Sequence, residues 1–253
     1  MLAPQRKKEI IRMVEEQGFV EVSDLSKRFD VSEVTIRSDL RELEQTGKIE
    51  RKYGGAVLKE CDILPFPHSN QLLRERKSAI AAAAAALIQS GDSVFLDSST
   101  TAWFLAMQMR KLQDITIISN SIPVFELFKE YTEGNLIAIP GVLNPTTQSF
   151  VGPIAEELIR RLHCSKAFIS PKGILPQGLR ENSIMEASVR KAMIDASSET
   201  ILLADHSKFL NNRTLFGIDD FRSIRTVVTD QTPPREFLEL FERRDIRLIV
   251  TEG

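Results

Sequence analysis

The chain has little of what would mark it as secreted, membrane-spanning or strongly basic. Two cysteines, Cys61 and Cys164, in 253 residues cannot build a disulfide scaffold and show no metal-ligand spacing. No metal is expected, and the chain reads as one for a reducing compartment. No apolar run approaches the roughly 18 residues of a membrane span. The opening residues, MLAPQRKKEII, are charged and lack the apolar stretch of about 7–15 residues that a signal peptide needs. A cytoplasmic protein with no membrane partner is expected. Net charge is −2 at pH 7, so the whole chain does not advertise a polyanionic partner. No heptad repeat is present from which an oligomer could be counted. Core material is ample, with 42% apolar against 27% charged residues. At roughly 100–200 residues per domain, the length suits one large or two modest domains.

The first 58 residues read as a small helical unit closed by a hairpin. Over 4–17, Ile10, Met13, Val14 and Gln17 recur at i, i+3, i+4 and i+7, one stripe of a helix that Gly18 stops. Val22, Leu25 and Phe29 predict a second short helix, and Asp30-Val31 a tight turn. Ser32 is an N-cap for a third helix, with Glu33 at its positive dipole end, running to about Thr46 before Gly47. Ile36, Leu40 and Leu43 share one face of that helix. Val34, Arg37, Ser38, Arg41 and Gln45 lie on or beside the opposite face. Arginine can read guanine O6 and N7 or grip phosphate, Thr35 and Ser38 can donate to phosphates, and Val34 suits a thymine methyl. Two short helices joined by a tight turn, the second with such an outer face, make a helix-turn-helix. Gly54-Gly55 predicts a β-hairpin wing, on which Lys48, Arg51 and Lys52 would meet backbone phosphates. The unit carries eleven bases and eleven acids, so its positive charge has to be gathered on one face. A helical bundle used for protein contacts fits the same periodicity.

Residues 59–69, KECDILPFPHS, hold Pro65 and Pro67 without a clean period and read as an interdomain linker. A helix restarts over 70–89, where six alanines at 81–86 serve helix propensity and close packing. Beyond Gly91, short apolar runs at 94–97, 115–119, 136–140, 166–170, 200–204, 226–229 and 247–250 alternate with amphipathic stretches. That alternation predicts a doubly wound, mainly parallel α/β sheet covered on both faces. Ligands of such sheets bind beyond the carboxyl ends of strands, at a switch point. Asp97-Ser98-Ser99-Thr100-Thr101 puts four hydroxyls at a helix N-terminus, which suits an anion such as phosphate. Asp97 would accept from a sugar hydroxyl or fix the loop. Asn120, Gly141 and Gly152 adjoin other runs, and Lys172 and Lys208 are candidate counter-charges for a phosphate. His206 beside Asp205 reads as structural. Glu186, with Arg190 four residues on, reads as a helix-surface ion pair, or as the one acid placed to act as a base near run 166–170.

Arg6-x3-Ile10-x3-Val14, VSEVTIRSDL at 31–40 and Arg51-Lys52-Tyr53-Gly54-Gly55-Ala56 resemble the winged helix-turn-helix signature of the DeoR family of bacterial transcription regulators. LDSSTT, SNS, SFVG, KAFIS-x2-GI and LADHSKF resemble that family's effector domain, which is similar to sugar-phosphate isomerases of the ribose-5-phosphate isomerase type. The resemblance implies a winged helix-turn-helix DNA-binding domain over 1–58, a linker over 59–69 and an α/β effector-binding domain over 70–253. Within the first, 20–39 would be the helix-turn-helix and the helix 33–45 would enter the major groove, with Ser32, Val34, Thr35, Arg37, Ser38, Arg41, Lys48, Arg51 and Lys52 as the contact residues. A phosphorylated-sugar pocket would take in Asp97, Ser98, Ser99, Thr100, Thr101, Asn120, Gly141, Gly152, Lys172, Glu186 and Lys208. The implied protein is a repressor of a sugar-catabolism operon, a dimer or tetramer on double-stranded operator DNA, with no cofactor and no catalysis. Three positions depart from the family's habit: Ser38 stands for a second basic residue, Ser99 for a glycine, and Ser165 for an aspartate, the last expected to bear on ligand identity. The alternative is a sugar-phosphate isomerase with an added DNA-binding domain. Such an enzyme needs a positioned carboxylate base, and KAFISPKGI holds none, which leaves Glu186.

Overall fold

The computed structural model describes residues 3–17, 19–46, 49–52, 54–58, 73–130 and 133–251. The chain divides into two compact units, Met1–Leu72 and Leu73–Gly253. The linker expected over 59–69 lies outside the described residues, as do Gly47 and Lys48.

In the first unit, α1 (Ala3–Gln17) leads through β1 (Phe19–Glu21) to α2 (Val22–Phe29) and α3 (Glu33–Gln45). A hairpin of β2 (Ile49–Lys52) and β3 (Gly55–Leu58) follows. The turn between α2 and α3 is made by Asp30 in the left-handed region (φ 51°) and tied by Ser26 Oγ, which donates to the Val31 carbonyl at 2.6 Å. Ser32 caps α3 by accepting from the Thr35 amide at 3.2 Å, one of the four amides a helix N-terminus leaves open. Ile10, Met13 and Val14 meet Val22, Leu25, Phe29, Ile36, Leu40 and Leu43 in one core, which Ile49 and Ala56 close from the hairpin. Each such side chain contributes about 1.5–3 kcal/mol on burial. The wing differs from the expected two strands: β1 pairs antiparallel with β3, making a three-stranded sheet. A three-residue strand is too short for period-two alternation to reveal it.

The second unit opens with α4 (Arg74–Ala85) and is built on a seven-stranded sheet. Its order is β15 (Arg247–Val250), β14 (Ile224–Thr229), β12 (Ser197–Ala204), β9 (Cys164–Ile169), β4 (Ser93–Leu96), β5 (Thr116–Ser119) and β6 (Asn135–Ala138), with every neighbouring pair parallel. These are the seven apolar runs of the sequence. The inner five read as nearly continuous because helices cover both faces, while the edge strands β6 and β15 stay partly exposed. Val94, Leu96, Phe168, Ile201, Leu203 and Val228 pack toward α4, α5 (Thr100–Met109) and α6 (Ile122–Phe128). Their neighbours Phe95, Ala167, Ile169, Leu202, Ala204 and Val227 pack toward α7 (Pro153–Arg160), α8 (Ile184–Asp195) and α9 (Arg235–Arg243). Ala81 and Ala84 of the alanine run are fully buried, which lets α4 lie close to its neighbours.

The chain winds outward from the β4–β9 pair in both directions, so the switch point lies there. Two additions at strand ends were not legible in the sequence: the antiparallel pair β7 (Val142–Asn144) and β8 (Ser149–Val151), and the small sheet of β10 (Gly173–Leu175), β11 (Gly178–Glu181) and β13 (Phe216–Asp219). Ser165 sits at the amino end of β9, where it exchanges hydrogen bonds with Ser93: the Ser93 amide donates to Ser165 Oγ at 2.8 Å and the Ser165 amide to Ser93 Oγ at 3.0 Å. At about 3.3 Å per residue, that is on the order of 13 Å from the carboxyl end of the strand at Ile169. The expectation that Ser165 bears on the ligand is therefore corrected: its role is in the sheet's amino edge. Among the described residues no helix is long and apolar enough to cross a membrane.

Candidate functional site

The outer face of α3 is laid out as the helical period requires. Ile36, Leu40 and Leu43 are buried, while Val34 is 76% exposed and Arg37, Ser38, Arg41 and Gln45 stand in solvent with it. Ser32 is exposed and Thr35 half-buried, their hydroxyls 2.9 Å apart. Arg37 leans back on Glu33 at 3.1 Å, and Arg41 has no ion-pair partner among the described residues. Arg51, expected to meet phosphate, is paired with the end of α3: its Nε lies 2.7 Å from Glu44 Oε2 and its amide donates to Glu44 Oε1 at 3.0 Å. Lys48 and the side chain of Lys52 lie outside the described residues. One polar residue of α3 escaped the sorting. Asp39 is buried against Arg6 of α1, Nε to Oδ2 at 2.5 Å. Its place was readable, since 36, 39, 40 and 43 are i, i+3, i+4 and i+7 on the core side.

At the carboxyl edge of the second unit's sheet, one arginine organises three carboxylates. Arg190 of α8 reaches Asp97 Oδ2 with Nε (2.8 Å), and Glu186 Oε2 (3.1 Å) and Glu181 Oε1 (3.3 Å) with Nη1. All four side chains are buried, so the expected helix-surface pair of Glu186 and Arg190 is an interior one; the i, i+4 spacing is identical in both settings. Asp97 fixes the loops at the switch point. Its Oδ1 accepts from the Ser99 amide at 3.0 Å after β4, and its Oδ2 from the Ser170 amide at 2.9 Å after β9.

Glu186 collects donors from four segments. Oε1 accepts from Thr147 (2.7 Å), Ser149 (2.8 Å) and Asn144 (3.3 Å), and Oε2 from Ser98 (3.0 Å). Burial pushes its carboxyl up, but Arg190 and the hydroxyls of Thr147, Ser149 and Ser98 outweigh that and hold it below the usual carboxylate range. The hydroxyl loop is thus bound into the scaffold. Ser98 donates its hydroxyl hydrogen bond to Glu186, Ser99 caps α5 by accepting from the Ala102 amide at 3.1 Å, and Thr100 and Thr101 are buried in the first turn.

Positive charge gathers beside this network, and the sequence reading located only part of it. Lys172 follows β9 and Lys208 follows β12, as expected. A third lysine, Lys77, comes from the first turn of α4 and is only 3% exposed. Burial, then Lys208 and Lys172, lower its ammonium to about 7 against the pull of Asp205. Lys172 is lowered too, by burial, Lys208 and Arg190, against Glu181 and Glu186. Asp205, at the end of β12, lies 3.8 Å from Lys208 Nζ and is held below its ordinary value: burial raises it, but Lys208, Ser207 and Lys77 prevail. Nothing in a helix rich in alanine flags a lysine as interior; the signal available was Lys77 at i−3 from Ile80.

Other strand ends supply polar atoms with no hydrogen-bond partner among the described residues: Asn120 Oδ1 and Ser121 Oγ after β5, Asp205 Oδ2, and Thr229 Oγ1 at the end of β14. Buried polar atoms in this state call for a bound polar molecule or water. Asn120 donates its amide to the Phe150 carbonyl at 2.8 Å. His206 is held by Asp230, Nδ1 to Oδ2 at 2.7 Å. The two glycines have chain-packing roles. A Cβ on Gly141 would lie 2.6 Å from the Val151 carbonyl oxygen, so that side is filled by β8 rather than open to a ligand. Gly152 caps α7 at φ 91°, a conformation that favours glycine.

Comparison with known proteins covers both units. Residues 6–61 match the DeoR-like helix-turn-helix domain, and residues 73–231 match the DeoR C-terminal sensor domain. The uncharacterized HTH-type transcriptional regulator YulB of Bacillus subtilis (strain 168) is 36% identical over 234 residues, 91% of this chain and 90% of its own length. The lactose phosphotransferase system repressor of Streptococcus mutans serotype c is 32% identical over 232 residues, 88% of each chain. Among solved structures, ribose 5-phosphate isomerase A from Methanocaldococcus jannaschii overlays with a TM-score of 0.39 at 16% identity, covering 54% of this chain and 55% of that one.

Proposed function

Since the chain belongs to the DeoR family of helix-turn-helix regulators with a C-terminal sensor domain, we propose that it is a repressor of a sugar-catabolism operon, modulated by a phosphorylated sugar at the carboxyl edge of its sheet. The observation that carries the effector reading is the crowding of Lys77, Lys172 and Lys208 beside a lattice of hydroxyls, amides and ionised carboxylates. Ammonium groups that disfavour one another's charge suit a dianion such as phosphate. Acceptors and donors next to them suit the hydroxyls of a sugar. A ligand here shifts the protein between states only by its differential affinity for them.

On the DNA side, α3 presents Val34, Arg37, Ser38 and Arg41 to the major groove, and a homo-oligomer sets two such helices one turn, about 34 Å, apart. Arg41→Ala is expected to weaken binding to a duplex selected by the wild-type protein by about 5–150-fold, the equivalent of roughly 1–3 kcal/mol. Thermal stability should not change, because Arg41 is exposed. Fluorescence anisotropy with a melting curve checks both.

The isomerase alternative requires a base near neutrality. Glu186 is ionised, carries donors on both oxygens and holds Arg190, so it is a poor proton acceptor. The purified chain is expected not to interconvert aldose and ketose phosphates. A thermal-shift panel of phosphorylated sugars and their unphosphorylated counterparts tests the whole proposal. At about 100 times its Kd, a ligand adds roughly 2.7 kcal/mol of stability. At least one phosphorylated member should raise the melting temperature and alter affinity for the selected duplex; stabilisation by none of them would sink the effector reading.

A further inference from the structure

A helix that reads DNA should not carry excess negative charge, yet α3 holds four acids, Glu33, Asp39, Glu42 and Glu44, against two arginines, Arg37 and Arg41. Each acid has a basic partner. Glu33 is paired with Arg37 of its own helix at 3.1 Å. The other three take theirs from elsewhere in the unit: Asp39 from Arg6 of α1 at 2.5 Å, Glu42 from Lys7 of α1, and Glu44 from Arg51 of β2 at 2.7 Å. The Arg6–Asp39 pair is interior, with side chains 7% and 5% exposed. The partners come from both sides of α3, the first helix on one and the wing on the other. Arg41 is left with no ion-pair partner among the described residues.

We propose that Arg6, Lys7 and Arg51 act as charge-masking and positioning residues for α3, neutralising its carboxylates from the two flanking elements so that Arg41 meets the duplex. This rests on α3 being the DNA-reading helix. It gives a physical answer to the balance of eleven bases and eleven acids over residues 1–58: part of the basic complement is committed to ion pairs within the fold and is not a set of phosphate contacts. Arg6 is the strongest member, because it also fixes the helix against rotation. An unpaired Asp39 would be a buried charge, whereas an apolar pair of similar volume in place of both is tolerated in other buried pairs.

The test uses the full chain and a duplex selected by the wild-type protein from a random pool, with affinity measured across a range of salt. Arg6→Met alone should lose at least tenfold in affinity. Arg6→Met with Asp39→Leu should return to within about threefold of wild type with the same salt slope. A phosphate contact would give the opposite result: the double variant would stay weak and its slope would fall by about 0.9. Lys7→Gln with Glu42→Gln provides a pair nearer the surface, whose removal leaves the core intact should the buried double variant not fold. Lys7→Gln alone should weaken binding and the double variant restore it; equal weakening in both overturns the proposal. Arg41→Ala is the control. If it leaves affinity unchanged, α3 does not read DNA and the masking proposal falls with it. If it weakens binding while the double variants fail to recover, masking alone is wrong.

Discussion

Arg190→Met is expected to cost the protein about 3–5 kcal/mol of stability, the usual penalty for removing one partner of a buried ion pair. The penalty should sit at the upper end, because three carboxylates lose their common counter-charge at once. In a chain of this size that corresponds to a drop on the order of 10 °C in melting temperature. The pH dependence gives a further signature. In the wild type, Glu186 is held below its ordinary value, so its contribution is present above the unfolded carboxylate range and is lost as pH falls through the folded value. Without Arg190 the same burial favours the protonated acid. The deficit of the variant relative to wild type should therefore shrink between pH 7.5 and pH 5. Urea denaturation at both pH values measures it, and a constant deficit would mean that Arg190 acts through packing alone.

Lys77→Met carries the second large effect, on the effector. In the free protein the Lys77 ammonium is brought down to about 7. A bound phosphate dianion favours the charged form, so binding takes up a proton whenever the pH exceeds that value. The second phosphate ionisation lies near 6, so the ligand is already a dianion above pH 7. Affinity for a stabilising sugar phosphate is then expected to fall with rising pH between 7 and 8.5, by up to about tenfold per unit. In Lys77→Met this slope should vanish, with affinity at pH 7 lowered by roughly 10–150-fold, the range for a charged hydrogen bond of about 1.5–3 kcal/mol. Stability of the free protein should move the other way. From pH 7 to about 10 the unfolded chain holds a proton at Lys77 that the folded chain does not, so stability rises with pH over that window, and Lys77→Met removes the rise. Calorimetry in two buffers of different ionisation enthalpy reads the proton directly.

The seven strands and the helix-turn-helix were legible for a common reason: each has a burial pattern that its own sequence must repeat. Strands such as 200–204 and 226–229 are buried on both faces and so are built of aliphatic residues and threonine, with no charge at any position. The third helix has one wet face, so Ile36, Leu40 and Leu43 separate cleanly from Arg37 and Arg41. What escaped depends on partners distant in sequence. Arg190 and Glu186 are four apart on α8 in either a surface or an interior pair, and only Asp97, 93 residues away, decides between them. Ser98 looks like a phosphate donor until Glu186 arrives opposite it, 88 residues on. Lys77 lies in a helix whose alanines accept either orientation. The β7–β8 and β10–β11–β13 additions are made of strands of three or four residues.

The internal cancellation of charge over residues 1–58 also bears on how the protein would find its target. A head with as many bases as acids exerts little long-range pull on a polyanion. Its encounters with random genomic duplex should be brief, and its arrival at a true site should be limited by orientation, at about 10⁵–10⁷ M⁻¹s⁻¹, rather than hastened by steering. Time spent on the correct sequence is then governed by a few groups on one helix. Such a searcher gives up speed of capture for a low background of misplaced copies.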